Sequence, residues 1–171
     1  MTVFVVGLTG WWSNFFSWFR KPIELPLAIV RAKTNPNDVE ILKGHWKQWS
    51  NFGRYIKRRY KDGDKVIILG HSYGSSASTH LCAFLADNDI DVDLFISEDQ
   101  GADSWVIKDV PIGRNVEIVD EYLVKFERLG FVPEWRGIHN FTKLNGWHTA
   151  AFTTDKMVNM IAARILKIAK G

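Results

Sequence analysis

Short apolar runs rich in β-branched residues alternate along this chain with longer stretches whose apolar positions recur at helical spacing. Thr2 to Val6 read as a short buried strand closed by Gly7-Leu8-Thr9-Gly10, and Leu27 to Ala32 as a second strand bounded by the turn residues Asn35-Pro36-Asn37-Asp38. Within Ile41 to Tyr60 the later part is helical, since Trp49, Phe52, Ile56 and Tyr60 share one face. Asp62-Gly63-Asp64 stops that helix and leads into a strand over Val66 to Leu69. Ala77, Leu81, Phe84 and Leu85 mark the next helix, and Val92 to Ile96 the next strand. Further strands are predicted at Val116 to Val119 and at Ile138 to Leu144, within a stretch of otherwise weak pattern. Met157, Ile161, Ile165 and Ile168 line a last helix, with Thr153 or Thr154 placed to cap it. Strands alternating with helices predict an α/β fold: a mostly parallel central sheet covered by helices on both faces. Functional groups are then expected beyond the carboxyl ends of the strands.

At 171 residues the chain is expected to be one domain, residues 1–171, with neither an internal repeat nor a low-complexity tract. The net charge of +3 gives no case for a nucleic-acid partner. Lys57, Arg58, Arg59 and Lys61 cluster where cations suit the negative end of a helix dipole. Cys82 is the one cysteine, so no intrachain disulfide forms, in keeping with a cytoplasmic or otherwise non-disulfide setting. It falls among apolar residues of a helix and reads as inert packing. No run is long enough to span a bilayer, and the N-terminus lacks the charged start of a secretory signal. The compositional oddity is aromatic: 8 Trp and 11 Phe, several of them within Trp11-Trp12-Ser13-Asn14-Phe15-Phe16-Ser17-Trp18-Phe19.

The chemistry concentrates around Ser72. Lys65-Val66-Ile67-Ile68-Leu69-Gly70-His71-Ser72-Tyr73-Gly74 is a buried strand that stops at Gly-x-Ser-x-Gly, and the small residues Ser75, Ser76, Ala77, Ser78 and Thr79 open a helix. Strand, sharp turn with serine at its tip, then helix is the context of a nucleophile elbow. The glycines serve it because a Cβ would collide across so tight a turn. A serine hydroxyl needs a base beside it. Among five histidines, His71 adjoins Ser72 and diverges from it, His80 lies inside the following helix, and His45 sits on another helix before the elbow. His139 stands in the weakly patterned region, while His148, in the loop Gly146-Trp147-His148-Thr149, is placed to be brought over the sheet.

With this elbow and this late histidine, the chain resembles a small lipase- or esterase-like α/β-hydrolase, over most of its length from Val3 to the last helix. The resemblance implies the chain order serine, acid, histidine, which leaves Asp99, Asp103 and Asp120 as acids. Asp99 ends the strand expected beside the nucleophile strand, as in small lipase-like members, and is preferred; Asp120 ends the following strand, where many larger members carry the acid. Asp155 follows the histidine and reads as a helix cap. The family pattern further assigns the oxyanion hole to the backbone N–H groups of Tyr73 and Leu8, the latter after Gly7, although Val6 stands where many relatives have histidine. The family's first strands are absent, because the chain begins at the oxyanion strand, and little room is left for a cap domain.

The resemblance thus implies a serine esterase that cleaves a carboxylic ester through an acyl-serine intermediate, with catalytic Ser72, His148 and Asp99 and without a metal or organic cofactor. Trp11, Trp12 and Phe16 would cover the site and bind the acyl chain of a small-molecule or lipid ester, and the same segment could meet a membrane or lipid interface. Packing of these rings into the sheet is the competing account of the segment. The competing function is a non-catalytic binding protein on a hydrolase scaffold, with residues 11–19 as its contact surface. No His-Glu-x-x-His, paired-cysteine zinc pattern or phosphate loop is present, and the acidic run Asp87 to Asp93 lacks the glycine and distal glutamate of a calcium loop.

Overall fold

A computed structural model describes residues 1–10, 17–100, 107, 110–124 and 128–171. Six strands and four helices follow in the order β1 (Val3–Thr9), α1 (Lys21–Lys33), β2 (Val39–His45), α2 (Trp49–Arg59), β3 (Lys65–His71), α3 (Tyr73–Ala86), β4 (Leu94–Glu98), β5 (Ile118–Leu123), β6 (Ile138–Lys143) and α4 (Asp155–Lys170). The strands form one sheet in the order β2-β1-β3-β4-β5-β6, and every neighbouring pair is parallel. The expected α/β architecture is therefore present, with helices on both faces.

Strand alternation divides the core in two. Val3, Val5, Ile67, Leu69, Leu94 and Ile96 point to one face, where Ile23, Leu27 and Val30 of α1 and Met157, Ile161 and Ile165 of α4 cover them. Phe4, Val6, Leu8, Val66, Ile68 and Phe95 point to the other, against Ile56 of α2 and Ala77, Leu81 and Leu85 of α3. Burial on both faces is why β1, β3 and β4 are nearly continuous apolar runs without visible alternation. Fully burying a side chain of this size contributes about 1.5–3 kcal/mol, so the three central strands hold most of the sheet's stabilisation. The last helix is tied at both ends: Thr154 Oγ1 accepts from the Met157 N–H at 3.4 Å, and Lys65 Nζ donates to the Ile168 carbonyl at 2.8 Å.

Two local expectations are overturned. Leu27 to Ala32 belong to α1, not to a strand. Pro22 lies in the first turn of α1, where a missing N–H costs nothing. Ile23, Leu27 and Val30 then recur at helical spacing on the buried side. The second strand in sequence is instead Val39–His45, an edge strand whose mixed polarity hid it at the start of the stretch Ile41 to Tyr60, of which only the later part was read as helical. The first strand is also longer than expected, running through Gly7 to Thr9. Gly7 is a point of close approach and not a strand exit: a methyl group there would lie 2.5 Å from Ile23 Cγ2 and 2.6 Å from Leu27 Cδ1.

Candidate active site

Ser72 follows β3 directly and stands with φ +58° and ψ −128°, a conformation rare for a residue with a side chain. Strain of this kind costs on the order of 1–3 kcal/mol and persists only where the surroundings enforce it. The enforcement is visible. The Ser72 N–H donates to the Glu98 carbonyl at 2.9 Å, and the Ser72 carbonyl accepts from the Ser75 N–H at 2.8 Å. The Ser75 hydroxyl donates back to the Gly70 carbonyl at 2.6 Å. A Cβ on Gly70 would lie 2.6 Å from the Ser75 Cα, and one on Gly74 would run into the Leu8 carbonyl. Tyr73 begins α3, so its backbone N–H stands at the positive end of the helix dipole.

Asp99 comes one residue after β4 and, like Ser72, is strained, with φ +45°. The left-handed turn takes it out of strand alternation while β5 holds it: its N–H donates to the Tyr122 carbonyl at 2.7 Å, and its Oδ1 accepts from the Val124 N–H at 2.8 Å. The other oxygen, Oδ2, lies 2.5 Å from Nδ1 of His148. The acid is fully buried, and the histidine side chain is 20% exposed. His148 is carried in the turn before α4, and its ring stacks on that of His71, the residue preceding Ser72. An ionised carboxylate only accepts, so the contact fixes the proton of a neutral His148 on Nδ1 and leaves the lone pair on Nε2.

No protein-family model matches the sequence, and no curated protein matches it. Solved structures do. The type II thioesterase BorB from the borrelidin biosynthetic cluster superposes with a TM-score of 0.61 at 10% identity, over 96% of this chain and 92% of that one. Human thioesterase 2 gives 0.60 at 10% identity, over 99% and 97% of the two chains. A putative hydrolase of the alpha/beta superfamily from Xanthomonas campestris pv. campestris gives 0.56 at 7% identity, over 99% of each. The chain has the α/β-hydrolase fold.

On this α/β-hydrolase fold the other candidates lie elsewhere. His139 sits on β6, three strands from the elbow strand, with Nε2 2.8 Å from Glu121 Oε2. Asp120 accepts from Arg164 Nε at 2.6 Å and Nη2 at 3.3 Å, and from Asn140 Nδ2 at 2.7 Å. That carboxylate is engaged on the α4 side of the sheet with a cation. Because β1 extends to Thr9, Leu8 lies inside the ladder in register with Gly44 and Gly70, and the strand delivers Gly10 to the elbow instead. A Cβ on Gly10 would lie 2.9 Å from Ser72 Cβ and 3.1 Å from its Oγ. Trp11, Trp12, Phe16 and Asp103 lie outside the described residues. Cys82 is buried in α3, where burial pushes its thiol up and keeps it inert. Among the described residues no cluster of His, Cys, Asp or Glu is arranged to hold a metal, and no helix is long and apolar enough to cross a membrane.

Two residues that sequence reasoning passed over border the site. His71 was set aside as a base because it diverges from Ser72, yet its ring meets His148 from the opposite side. Glu98 continues the alternation Leu94, Ile96 onto the apolar face of β4 and is fully buried there. A carboxylate at the end of a strand whose alternate positions are all apolar was the signal available for it.

Proposed function

We propose that the protein is a serine hydrolase that cleaves a carboxylic ester or thioester through an acyl-serine intermediate. The observation that carries this reading is the 2.5 Å contact between the fully buried Asp99 and His148, whose ring stacks on that of His71, the residue before a serine held at φ +58°. Ser72 Oγ attacks the acyl carbon as His148 Nε2 takes its proton, and Asp99 steadies the imidazolium that forms. The carbonyl oxygen gains the negative charge, for which the backbone N–H groups of Tyr73 and Gly10 are proposed as donors, Gly10 in place of Leu8 because β1 runs on to Thr9. Collapse of the tetrahedral species breaks the bond to the leaving group, which leaves with the proton from His148. Water, deprotonated by the same histidine, then attacks the acyl-serine and frees the acid. The neighbouring structures titled as thioesterases favour a sulfur leaving group, although the same parts serve an oxygen ester. The aromatic residues Trp11, Trp12 and Phe16 are proposed to bind the acyl chain.

A fluorophosphonate probe tests the reading directly. Covalent labelling is expected on Ser72 and is expected to disappear in Ser72→Ala and to weaken strongly in His148→Ala. A folded protein that the probe does not label would favour a binding protein on a hydrolase scaffold.

A further inference from the structure

Behind His148 lies a small buried compartment of polar groups that the reaction as written does not use. His71, the last residue of β3, is 1% exposed. Its ring faces that of His148 with centroids 4.6 Å apart and planes 27° apart, while Phe152 closes on it edge-on at 5.6 Å and 68°. The register partner of His71 on β4 is Glu98, which is fully buried with both carboxyl oxygens unpartnered.

We propose that His71 is a positioning residue: its ring, pressed between Phe152 and His148, sets the plane in which His148 meets Asp99 and Ser72. The inference rests on the serine-hydrolase reading. The bond from Nδ1 to Asp99 anchors one edge of the His148 ring, and rotation about that bond changes where Nε2 points. Nε2 must nevertheless point along one direction to receive the Ser72 proton, and a flat ring in face contact removes the remaining freedom. Charge state suits the role. Burial, with His148 adding to it and Asp99 opposing, pulls His71 down to about 3, so the ring is neutral when the imidazolium forms on His148. A neutral aromatic face attracts that cation, whereas a second imidazolium would repel it. Burial also pushes the Glu98 carboxyl well above the usual range, which favours its uncharged form beside His71.

The test compares His71→Ala, His71→Leu and His71→Phe by steady-state hydrolysis of p-nitrophenyl acetate, by melting temperature, and by the low-field proton resonance of His148 Nδ1–H. Ala and Leu should lower kcat on the order of 10²-fold with KM changed by less than about twofold, as loss of alignment does. Both should broaden or lose the low-field resonance. Phe, flat but without nitrogens, should restore kcat to within about threefold of the parent (under 1 kcal/mol of barrier) and recover the resonance. A Leu variant as fast as Phe overturns the inference, as does a Phe variant as slow as Leu at an unchanged melting temperature. If Ala does not fold, the Leu and Phe pair still decides. A parent protein without hydrolytic activity would sink the serine-hydrolase reading, and the resonance in Phe against Leu would still judge His71 separately.

Discussion

The molecule contains two histidine–carboxylate pairs that look alike in isolation. His148 with Asp99 and His139 with Glu121 are separated by 2.5 and 2.8 Å, each histidine side chain is 20% exposed, and each carboxylate is all but sealed from water. Their surroundings differ. Glu121 also accepts from the Leu129 N–H at 2.8 Å and faces Arg128 at 3.8 Å, and His139 is boxed by Phe131, Trp135 and Phe141 on the outermost strand. Asp99 spends its second oxygen on the Val124 N–H, and its partner His148 stacks on His71, the residue before the strained Ser72. A polarised imidazole is thus a common part of this sheet. On the proposed mechanism, the nucleophile Ser72 is what sets one pair apart from the other.

The comparison can be broken most sharply at that nucleophile. Ser72→Ala and His148→Ala should each lower hydrolysis on the order of 10⁶-fold, the figure known for subtilisin, while circular dichroism stays native. Activity within about tenfold of the parent (about 1.4 kcal/mol) in either variant would remove the distinction between the pairs. Next, Asp99→Asn should cost about 10⁴-fold in kcat, as the equivalent change does in a serine protease, by holding His148 in the wrong tautomer. Glu121→Gln, the matched change in the other pair, should leave kcat within about twofold. If Glu121→Gln proves the more damaging, the active site has been put at the wrong end of the sheet.

His139→Ala should act on stability alone. It leaves a buried carboxylate with Leu129 and the more distant Arg128, at a cost on the order of 1–3 kcal/mol, readable as a melting temperature lower by roughly 2–4 °C per kcal/mol. Asp120→Asn should behave likewise, because it strips Arg164 of its anion without approaching His148. The smallest expected effect concerns pH. The folded-state value of His71 lies near 3 against 6.5 unfolded, so between those values the unfolded chain binds the extra proton and stability falls as pH falls. Glu98 is raised above 4.5 in the fold, so above that value the unfolded chain gives up a proton that the fold keeps, and stability falls as pH rises. Glu98→Gln should therefore raise the melting temperature at pH 7 more than at pH 4.5, and His71→Phe should flatten the decline below pH 6.5. Parallel melting curves across pH for parent and variants would contradict both assignments.

The elements legible in the sequence were those whose pattern has one explanation. The apolar run ending at Gly70 is a strand, and Met157, Ile161 and Ile165 are the buried face of a helix. What failed to show were elements whose local signals conflict with their tertiary setting. Pro22 and Pro26 disguise α1, the edge position of β2 lets Glu40 and Lys43 into a strand, and Gly7 looks like a turn because α1 packs on it. At the site, the approach of Asp99 to His148 was expected from chain order. The end of β1 was not legible, because its last three residues depend on where a helix presses. The stacking of His71 on His148 was hidden for the same reason: rings 77 positions apart meet only through the closed sheet.

Gly70 and Gly74 are held by clearance, not by chemistry. Any side chain at Gly74 would displace the Leu8 carbonyl, and any at Gly70 would push α3 off its strand. Neither constraint involves the Ser72 hydroxyl. A descendant that lost catalysis through Ser72 would still have to keep both glycines to fold, and would go on displaying a motif with an inert residue at its centre. In an inheritance of this kind, the glycines record an ancestry of shape, and the serine hydroxyl alone reports whether the chemistry is still in use.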